Sequence, residues 1–290
     1  MVTKRNAIIM AAGTSSRFVP LAHECPKGLL KVKGDVLIER QIRQLKEAGV
    51  YDITIVVGYM ANKFAYLKKM YQVDIVMNED FARYNNVSSL IKVIDRLDDT
   101  FICSSDNYFP ENVFIPYSDE SYYSALYANG LTSEYCLITD SDDHITGVTI
   151  GGKDAWYMVG HVYLTHEFSK AFRNIFVTEY ENEETRYGYW EDLYIRHLDH
   201  LPLIKINRYQ AGAIYEFDSL DELRLFDESY MNDTRSQVIK DICKILNVSE
   251  SDIHDCYNIK HEGDYLNFHF KAADNLYEYN NINGLKIMRR

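Results

Sequence analysis

Through the first hundred residues, apolar positions alternate between short continuous runs and runs at helical spacing. NAIIMAA (Asn6 to Ala12) has the composition of a buried strand. In VLIERQIRQLKEAGV the spacing of Ile38, Ile42, Leu45 and Ala48 predicts a helix, with Gly49 where it stops. DITIVVGY predicts a second strand, ANKFAYLKKMY a second helix, VDIVMNED a third strand, VSSLIKVIDRL a third helix and TFICSSDNYF a fourth strand. Strands separated by helices of this length imply right-handed crossovers and a mainly parallel sheet.

After Pro116 the pattern shortens. YYSALYA, EYCLITD, HITGVTIGG and WYMVGHVYLT predict shorter strands with turns between them, an antiparallel extension of the sheet. HEFSKAFRNIF and WEDLYIRHLDHL predict helices, LIKINRY and AIYEFDS strands, and LDELRLFDESY a closing helix. Asn, Asp, Thr and Ser cluster in YMNDTRS, which predicts a boundary between a domain over 1–230 and an extension over 231–290. Within the extension SQVIKDICKILN is an amphipathic helix, SESD opens another helical turn, and YLNFHF with NLYEYNN predicts a hairpin. The expected class is α/β, a mixed and mainly parallel sheet flanked by helices, followed by a small α+β extension.

Length and charge narrow the chemistry. A chain of 290 residues accommodates one large domain, or one large and one small. Its net charge of −12 argues against nucleic acid or an anionic membrane as partner. An anionic substrate must then meet locally placed Lys, Arg, backbone N–H groups or a bound metal. The five cysteines are widely spaced, odd in number and lack a C-x-x-C pair, which fits reduced thiols in the cytoplasm better than a disulfide frame or a zinc site. The apolar run behind the basic N-terminus is short and enters a glycine turn, as a first strand does and a signal peptide does not. No segment approaches the roughly 20 apolar residues of a membrane span. His197 and His200 stand at i and i+3 without a third ligand, and His161 and His166 have no catalytic partner in the sequence. No Ser/His/Asp or Cys/His motif suggests a protein nucleophile.

In parallel sheets ligands sit beyond the carboxyl ends of the strands. The residues there are Gly13 to Arg17, Gly58 and Tyr59, Asn78, and Asp106 with Asn107. The stretch AAGTSSRFVPLAHECPKGLL (Ala11 to Leu30) is the most informative. Its small residues Ala11, Ala12, Gly13, Thr14 and Ser15 let the backbone turn sharply and present N–H groups to phosphate oxygens. Arg17 adds a planar, permanently charged fork and Lys27, held by Pro26, a second point charge. Together they describe a cradle for a nucleoside triphosphate. It is neither a Walker loop nor a G-x-G-x-x-G turn, because only Gly13 is present. Asp106 is either a ligand-binding carboxylate or a turn residue. In RYNNVSS one of Asn85 and Asn86 suits a helix cap; the other binds nucleotide or orders the substrate loop, and Ser88 is grouped with the nucleotide contacts.

IIMAAGTSSRFVPLAHECPKGLL resembles the signature loop of nucleotidyltransferases that join a nucleoside triphosphate to a phosphorylated small molecule. That signature runs apolar-A-A-G-x-G-x-R-x-x-P and then P-K; Ser15 departs from it where glycine is usual. VVGYMANKF, FARYNNVSSL, SSDNYF, YGYWEDLY and AIYEFDSLDEL resemble, in order and spacing, the bacterial choline-phosphate cytidylyltransferases. The resemblance covers about residues 6 to 228. It implies a Rossmann-like nucleotidyltransferase fold and attack by phosphocholine on the α-phosphorus of CTP, releasing pyrophosphate. Such chemistry needs charge neutralisation and in-line positioning.

The resemblance further implies Mg²⁺ held by Asp106 and Asp218, Lys27 on the phosphates in the transition state and Arg17 on the leaving pyrophosphate. Ser219 competes with Asp218 for the helix cap. Nucleotide contacts are expected from Ala11 to Ser15, Arg17, Gly58, Tyr59, Asn85, Asn86 and Ser88. For the quaternary ammonium, aromatic faces and carboxylates are expected from Tyr135, Tyr189, Trp190, Asp192 and Glu216, with Glu191 competing with Asp192. Ordinary packing competes for each aromatic. Tyr135 stands where tryptophan is usual. A sugar 1-phosphate acceptor is the alternative enzyme, and an inactive nucleotide-binding regulatory module the alternative from another class. The residues alone do not separate CTP from UTP. The extension faintly resembles the first strands of choline-kinase-type phosphotransferases without room for their catalytic loop; a packing element or a homodimer contact is the other expectation.

Overall fold

The computed structural model describes residues 5–114, 118–259 and 266–288. Pro116, where the sequence pattern shortens, and Tyr265, the predicted start of a strand, lie outside the described residues. Contacts divide the chain into two units, Met1–Gly13 with Ile38–Tyr215, and Thr14–Leu37 with Glu216–Arg290. These bounds differ from the expected division at residue 230, which rested on the polar cluster at YMNDTRS and on the reach of the family resemblance.

The first unit is built on seven strands: β1 (Asn6–Ala11), β2 (Asp52–Val57), β3 (Asp74–Met77), β4 (Thr100–Ser104), β5 (Ser121–Thr139), β6 (Ile145–Leu164) and β7 (Ile204–Arg208). They lie in the order β3-β2-β1-β4-β6-β5-β7. β1 is parallel to β2 and β4, and β2 to β3. β6 is antiparallel to both β4 and β5, and β7 is parallel to β5. The apolar runs are continuous because this sheet is buried on both faces: Ile8, Ile9, Ile55, Val56 and Phe101 have no exposed surface. Helix α1 (Leu37–Glu47) buries Ile38, Ile42 and Leu45 as their spacing predicts, and Gly49 ends it at φ +82.

VSSLIKVIDRL is not one helix. It is an α turn over Val87–Leu90 and a 3-10 run over Ile91–Arg96, interrupted at Val93. Val87, Leu90, Val93, Ile94 and Leu97 are its buried apolar side chains. Helices α2 (His166–Tyr180) and α3 (Trp190–Arg196) cover the sheet with Phe168, Phe172, Phe176, Trp190, Leu193 and Tyr194, all buried.

The four short strands expected after Pro116 are two long ones, of 19 and 20 residues. The turn signals between them are register shifts within the ribbon, with left-handed glycines at Gly130 (φ +92) and Gly151 (φ +78). The ribbon also doubles back, so that Cys136 pairs with both Thr149 and Tyr157. At its tip Ile206 N donates to Asp143 O at 3.0 Å. AIYEFDS is not a strand; only Tyr215 finds a ladder partner, exchanging hydrogen bonds with Tyr108 at 2.8 and 2.9 Å.

In the second unit, Thr14–Leu37 contributes a helical turn (Leu21–Glu24), a 3-10 turn (Lys27–Leu29) and a two-residue ladder of Lys31–Val32 with Asp35–Val36. The remainder holds α4 (Leu220–Phe226), α5 (Gln237–Leu246) and an antiparallel sheet of β8 (Ile253–Asn258), β9 (Asn267–Ala272), β10 (Asn275–Asn280) and β11 (Gly284–Met288) in that order. The predicted hairpin is β9–β10. Buried Arg224 donates from α4 to the carbonyls of Tyr230, Glu250 and Ile253, so α4 and the extension form one body.

Candidate active site

In the second unit the loop after Thr14 turns where Phe18 N donates to Ser15 O at 2.8 Å. Ser15 sits at φ +50, a left-handed conformation that glycine adopts without steric penalty. That accounts for glycine in the related loops. Phe18, Val19, Leu21 and Ala22 are buried behind the turn, and Arg17 is left 75% exposed on its outer side. Lys27, on the 3-10 turn after Pro26, is 6% exposed.

These two cations share their carboxylates. Arg17 Nη1 lies 2.7 Å from Asp218 Oδ2, and Lys27 Nζ lies 3.5 Å from Asp218 Oδ1 and 3.8 Å from Glu216 Oε1. Ser219, not Asp218, caps α4, accepting from Glu222 N at 3.2 Å. The Asp218 carboxylate is thereby left for the cations. Such a cluster holds a buried ammonium in place by opposite charge, and a polyphosphate can take over the role of those carboxylates.

In the first unit the strand ends divide into open and occupied positions. Gly13 is exposed, and a Cβ there would meet nothing within 4 Å, so room stands open in front of it. Gly58 is required by the protein itself: a Cβ would come within 2.6 Å of Phe81 and 2.8 Å of Ala12 O. Next to it Tyr59 N donates to Ala12 O at 3.1 Å, and Ala11 and Ala12 are buried. Asn78 donates to the hydroxyls of Ser88 and Ser89 at 2.9 Å each, and Ser88 donates to Asn85 O at 2.7 Å. Gly58, Asn78 and Ser88 hold the framework together.

Neither Asn85 nor Asn86 caps its following helix with its side chain. Asn85 Oδ1 accepts from Asn86 N at 2.8 Å. Asn86 reaches across to α3, accepting from Trp190 N at 2.7 Å and donating to Glu191 Oε2 at 3.1 Å. It therefore orders the 189–192 segment.

Half-buried Asp106 follows β4 on a loop fixed from α1. Buried Gln41 donates to Ser104 O and Asn107 O, both at 2.9 Å, and Gln44 to Phe109 O at 3.0 Å. Gly160 permits this approach, since a Cβ would lie 2.3 Å from Ser104 Oγ.

The acidic and aromatic residues at the start of α3 form a second cluster. Tyr135 OH donates to Asp192 Oδ1 at 3.0 Å, and Tyr189 N to Asp192 Oδ2 at 2.9 Å. Burial pushes the Tyr135 phenol up to about 12, helped by the Asp192 hydrogen bond and the charges of Asp192 and Glu191. Tyr189 is 47% exposed. Trp190 is not part of this surface. It is 3% exposed and packs in the core against Tyr123, Tyr194 and Phe172, the outcome that ordinary packing predicts for a large aromatic. Glu216 lies in the second unit, where its carboxylate stands by Lys27.

Glu191 carries more weight than its sequence suggested. Its carboxylate accepts from Asn86 and, at 3.4 Å, from Tyr123 OH, and burial pushes it up to about 7. A glutamate directly after a tryptophan at a predicted helix start was the available signal. His161 is fully buried with Nδ1 2.7 Å from Ser124 Oγ, and burial pushes it down to about 3, so it is a neutral core residue.

Among the described residues no group of three or more His, Cys, Asp and Glu side chains is placed to hold a metal ion. Mg²⁺ takes hard oxygen donors, keeps several waters and binds one or two carboxylates together with substrate phosphates, and the carboxylates of Asp106 in the first unit and of Asp218 in the second are each donors of that kind.

Comparison with known proteins bears on the whole arrangement. The MobA-like NTP transferase domain matches residues 7–133. The 2-aminoethylphosphonate cytidylyltransferase of Lancefieldella rimae is 35% identical over 237 residues, covering 80% of this chain and 96% of that protein. The choline-phosphate cytidylyltransferase of Streptococcus pneumoniae is 31% identical over 227 residues, covering 78% and 99%. This chain belongs to the cytidylyltransferase family. The solved structure of the Streptococcus pneumoniae CTP:phosphocholine cytidylyltransferase (LicC) matches with a TM-score of 0.75, covering 78% of this chain and 99% of that one. The nucleotidyltransferase fold expected from the signature loop is thus the fold of this cytidylyltransferase. Among its described residues no helix is long and apolar enough to cross a membrane.

Proposed function

We propose that this cytidylyltransferase transfers CMP from CTP to phosphocholine, giving CDP-choline and pyrophosphate. The acceptor assignment is carried by one observation, the Tyr135–Asp192 pair with Tyr189 and Glu191 at the start of α3. Aromatic faces and carboxylates suit a fixed cation that donates no hydrogen bonds. A sugar 1-phosphate would instead draw on amides for its hydroxyls, and Asn85 and Asn86 are spent on the framework.

The bond that forms joins a phosphocholine oxygen to the α-phosphorus, and the α–β anhydride breaks as pyrophosphate leaves. A phosphomonoester is largely dianionic at neutral pH, so no protein base is needed to activate it. Lys27 meets the phosphates from its buried position and Arg17, on the exposed side of the turn, meets the pyrophosphate. The backbone around Gly13 to Ser15 lies against the triphosphate. Mg²⁺, when bound, would neutralise phosphate charge, and Asp106 and Asp218 are the residues that would hold it. Cysteines left unpaired among the described residues suit a reducing compartment such as the cytoplasm.

A second reading, 2-aminoethylphosphonate as acceptor, is favoured by the burial of Trp190, which thins the aromatic cage while Glu191 and Asp192 remain to accept hydrogen bonds from a primary ammonium. Pyrophosphate release, crossing CTP, UTP, ATP and GTP with phosphocholine, 2-aminoethylphosphonate and glucose 1-phosphate, tests both. Fastest release from CTP with phosphocholine is expected. Faster release with the phosphonate transfers the assignment to the second reading, and release with glucose 1-phosphate alone overturns both. No release from any pair makes the chain an inactive binding module.

A further inference from the structure

We infer that the C-terminal extension is a working part of the nucleotide site, and that Glu24 is the residue through which it positions the loop bearing Arg17 and Lys27. The inference rests on reading that loop as the triphosphate cradle. Glu24 ends the helical turn Leu21–Glu24, three residues before Lys27. Its Oε1 accepts from Gln237 N at 2.8 Å and its Oε2 from the Ser236 hydroxyl. Ser236 is in turn the N-cap of α5, accepting from Ile239 N at 3.1 Å. A carboxylate from early in the chain thus sits on the first turn of a ten-residue helix, where free N–H groups and the helix dipole favour negative charge.

The far side of Lys27 is tied to the same body. Arg235 Nη1 and Tyr230 OH both donate to Lys31 O, the latter at 3.1 Å, and Lys33 N donates to Asp227 Oδ2 at 2.7 Å. Lys27 is therefore bracketed between Glu24 and Lys31, both fastened to residues 227–237. Because its side chain is 6% exposed, its reach is set by where the backbone holds it rather than by free rotation. Ile239 and Ile242, wholly buried, keep α5 itself in place. Relatives that cover 78 to 80% of this chain leave about a fifth of it unmatched. An extension that merely covered surface would have no need to grip this one loop at both ends.

The test is calorimetric titration of the full chain with CTP and Mg²⁺, without acceptor, followed by steady-state kinetics. Glu24→Ala should weaken CTP binding roughly tenfold, the size of a lost helix-cap interaction. The CTP KM should rise in step while the acceptor KM stays at its wild-type value. Glu24→Gln keeps an oxygen that can accept from Gln237 N and should recover most of the affinity. A folded Glu24→Ala variant with wild-type CTP affinity overturns the inference, and so does an equal rise in both KM values, which would mean general loosening. Should Glu24→Ala not fold, Arg235→Ala at the other end of the bracket carries the test, and wild-type CTP affinity there overturns it. Since the titration needs no acceptor, a failure of phosphocholine as substrate leaves the result interpretable. A wild-type chain that does not bind CTP overturns the reading of the loop itself.

Discussion

Substituting Glu191→Gln replaces a half-buried carboxylate by a neutral group of nearly the same shape. Burial pushes Glu191 from its ordinary 4.5 to about 7, against the opposing pull of its hydrogen bonds, including those from Asn86 and Tyr123. An acid whose folded-state value stands above its unfolded one binds its proton more tightly in the folded chain. Its contribution therefore favours folding below about pH 4.5 and is lost as pH rises through 7. Over that interval the loss is on the order of 3 kcal/mol. The glutamine side chain stays neutral, can still accept from Asn86 and can donate to the Tyr123 oxygen. Urea unfolding at pH 5 and pH 8, followed by the fluorescence of neighbouring Trp190, measures the effect. Comparing variant with wild type at each pH removes the titration of all other groups. The variant should gain roughly 2 to 3 kcal/mol on the wild type between the two pH values. An unchanged difference would refute the argument, because the carboxylate would then ionise as freely folded as unfolded.

Three further substitutions probe other parts of the account. Ser15→Gly removes a side chain from a left-handed position and should stabilise the chain by up to about 1 kcal/mol in denaturant unfolding, the strain relieved exceeding glycine's entropy; a lower midpoint would count against strain there. Asp106→Ala should abolish turnover and leave the melting temperature within a few degrees of wild type, because Gln41 holds the loop by its backbone. Wild-type rates in that variant would remove Asp106 from the chemistry. Tyr189→Ala should raise the phosphocholine KM about 2- to 30-fold without moving the CTP KM, the range of one cation–π contact. An unchanged acceptor KM would take Tyr189 out of the cage.

Much of the fold was legible because each early element carried its own periodicity. The run Ile8–Ile9 and the spacing of Ile38, Ile42 and Leu45 need no distant partner to be recognised. The loop after β1 was legible as a turn for the same reason, since its small residues fall in one stretch and its irregular Ser15 marks the left-handed position. What failed was decided at long range. Gly130 and Gly151 look like turns between strands, yet pairing across the ribbon makes them irregularities within two long ones. Trp190 follows an exposed tyrosine and precedes two acids, as a binding aromatic would, but Tyr123 and Phe172 draw it into the core. The polar cluster near residue 231 resembles a linker, although Tyr230, Arg235 and Ser236 bind a segment two hundred residues earlier.

The reaction class itself is tested most directly by following the phosphorus atoms of CTP. The full chain is supplied with Mg²⁺, phosphocholine and CTP labelled at either the α- or the γ-position, and the products are separated. Label from the α-position should appear in CDP-choline and label from the γ-position only in pyrophosphate. Label from the γ-position on the phosphate of the acceptor, or α-label recovered solely as free CMP, would contradict nucleotidyl transfer by this site.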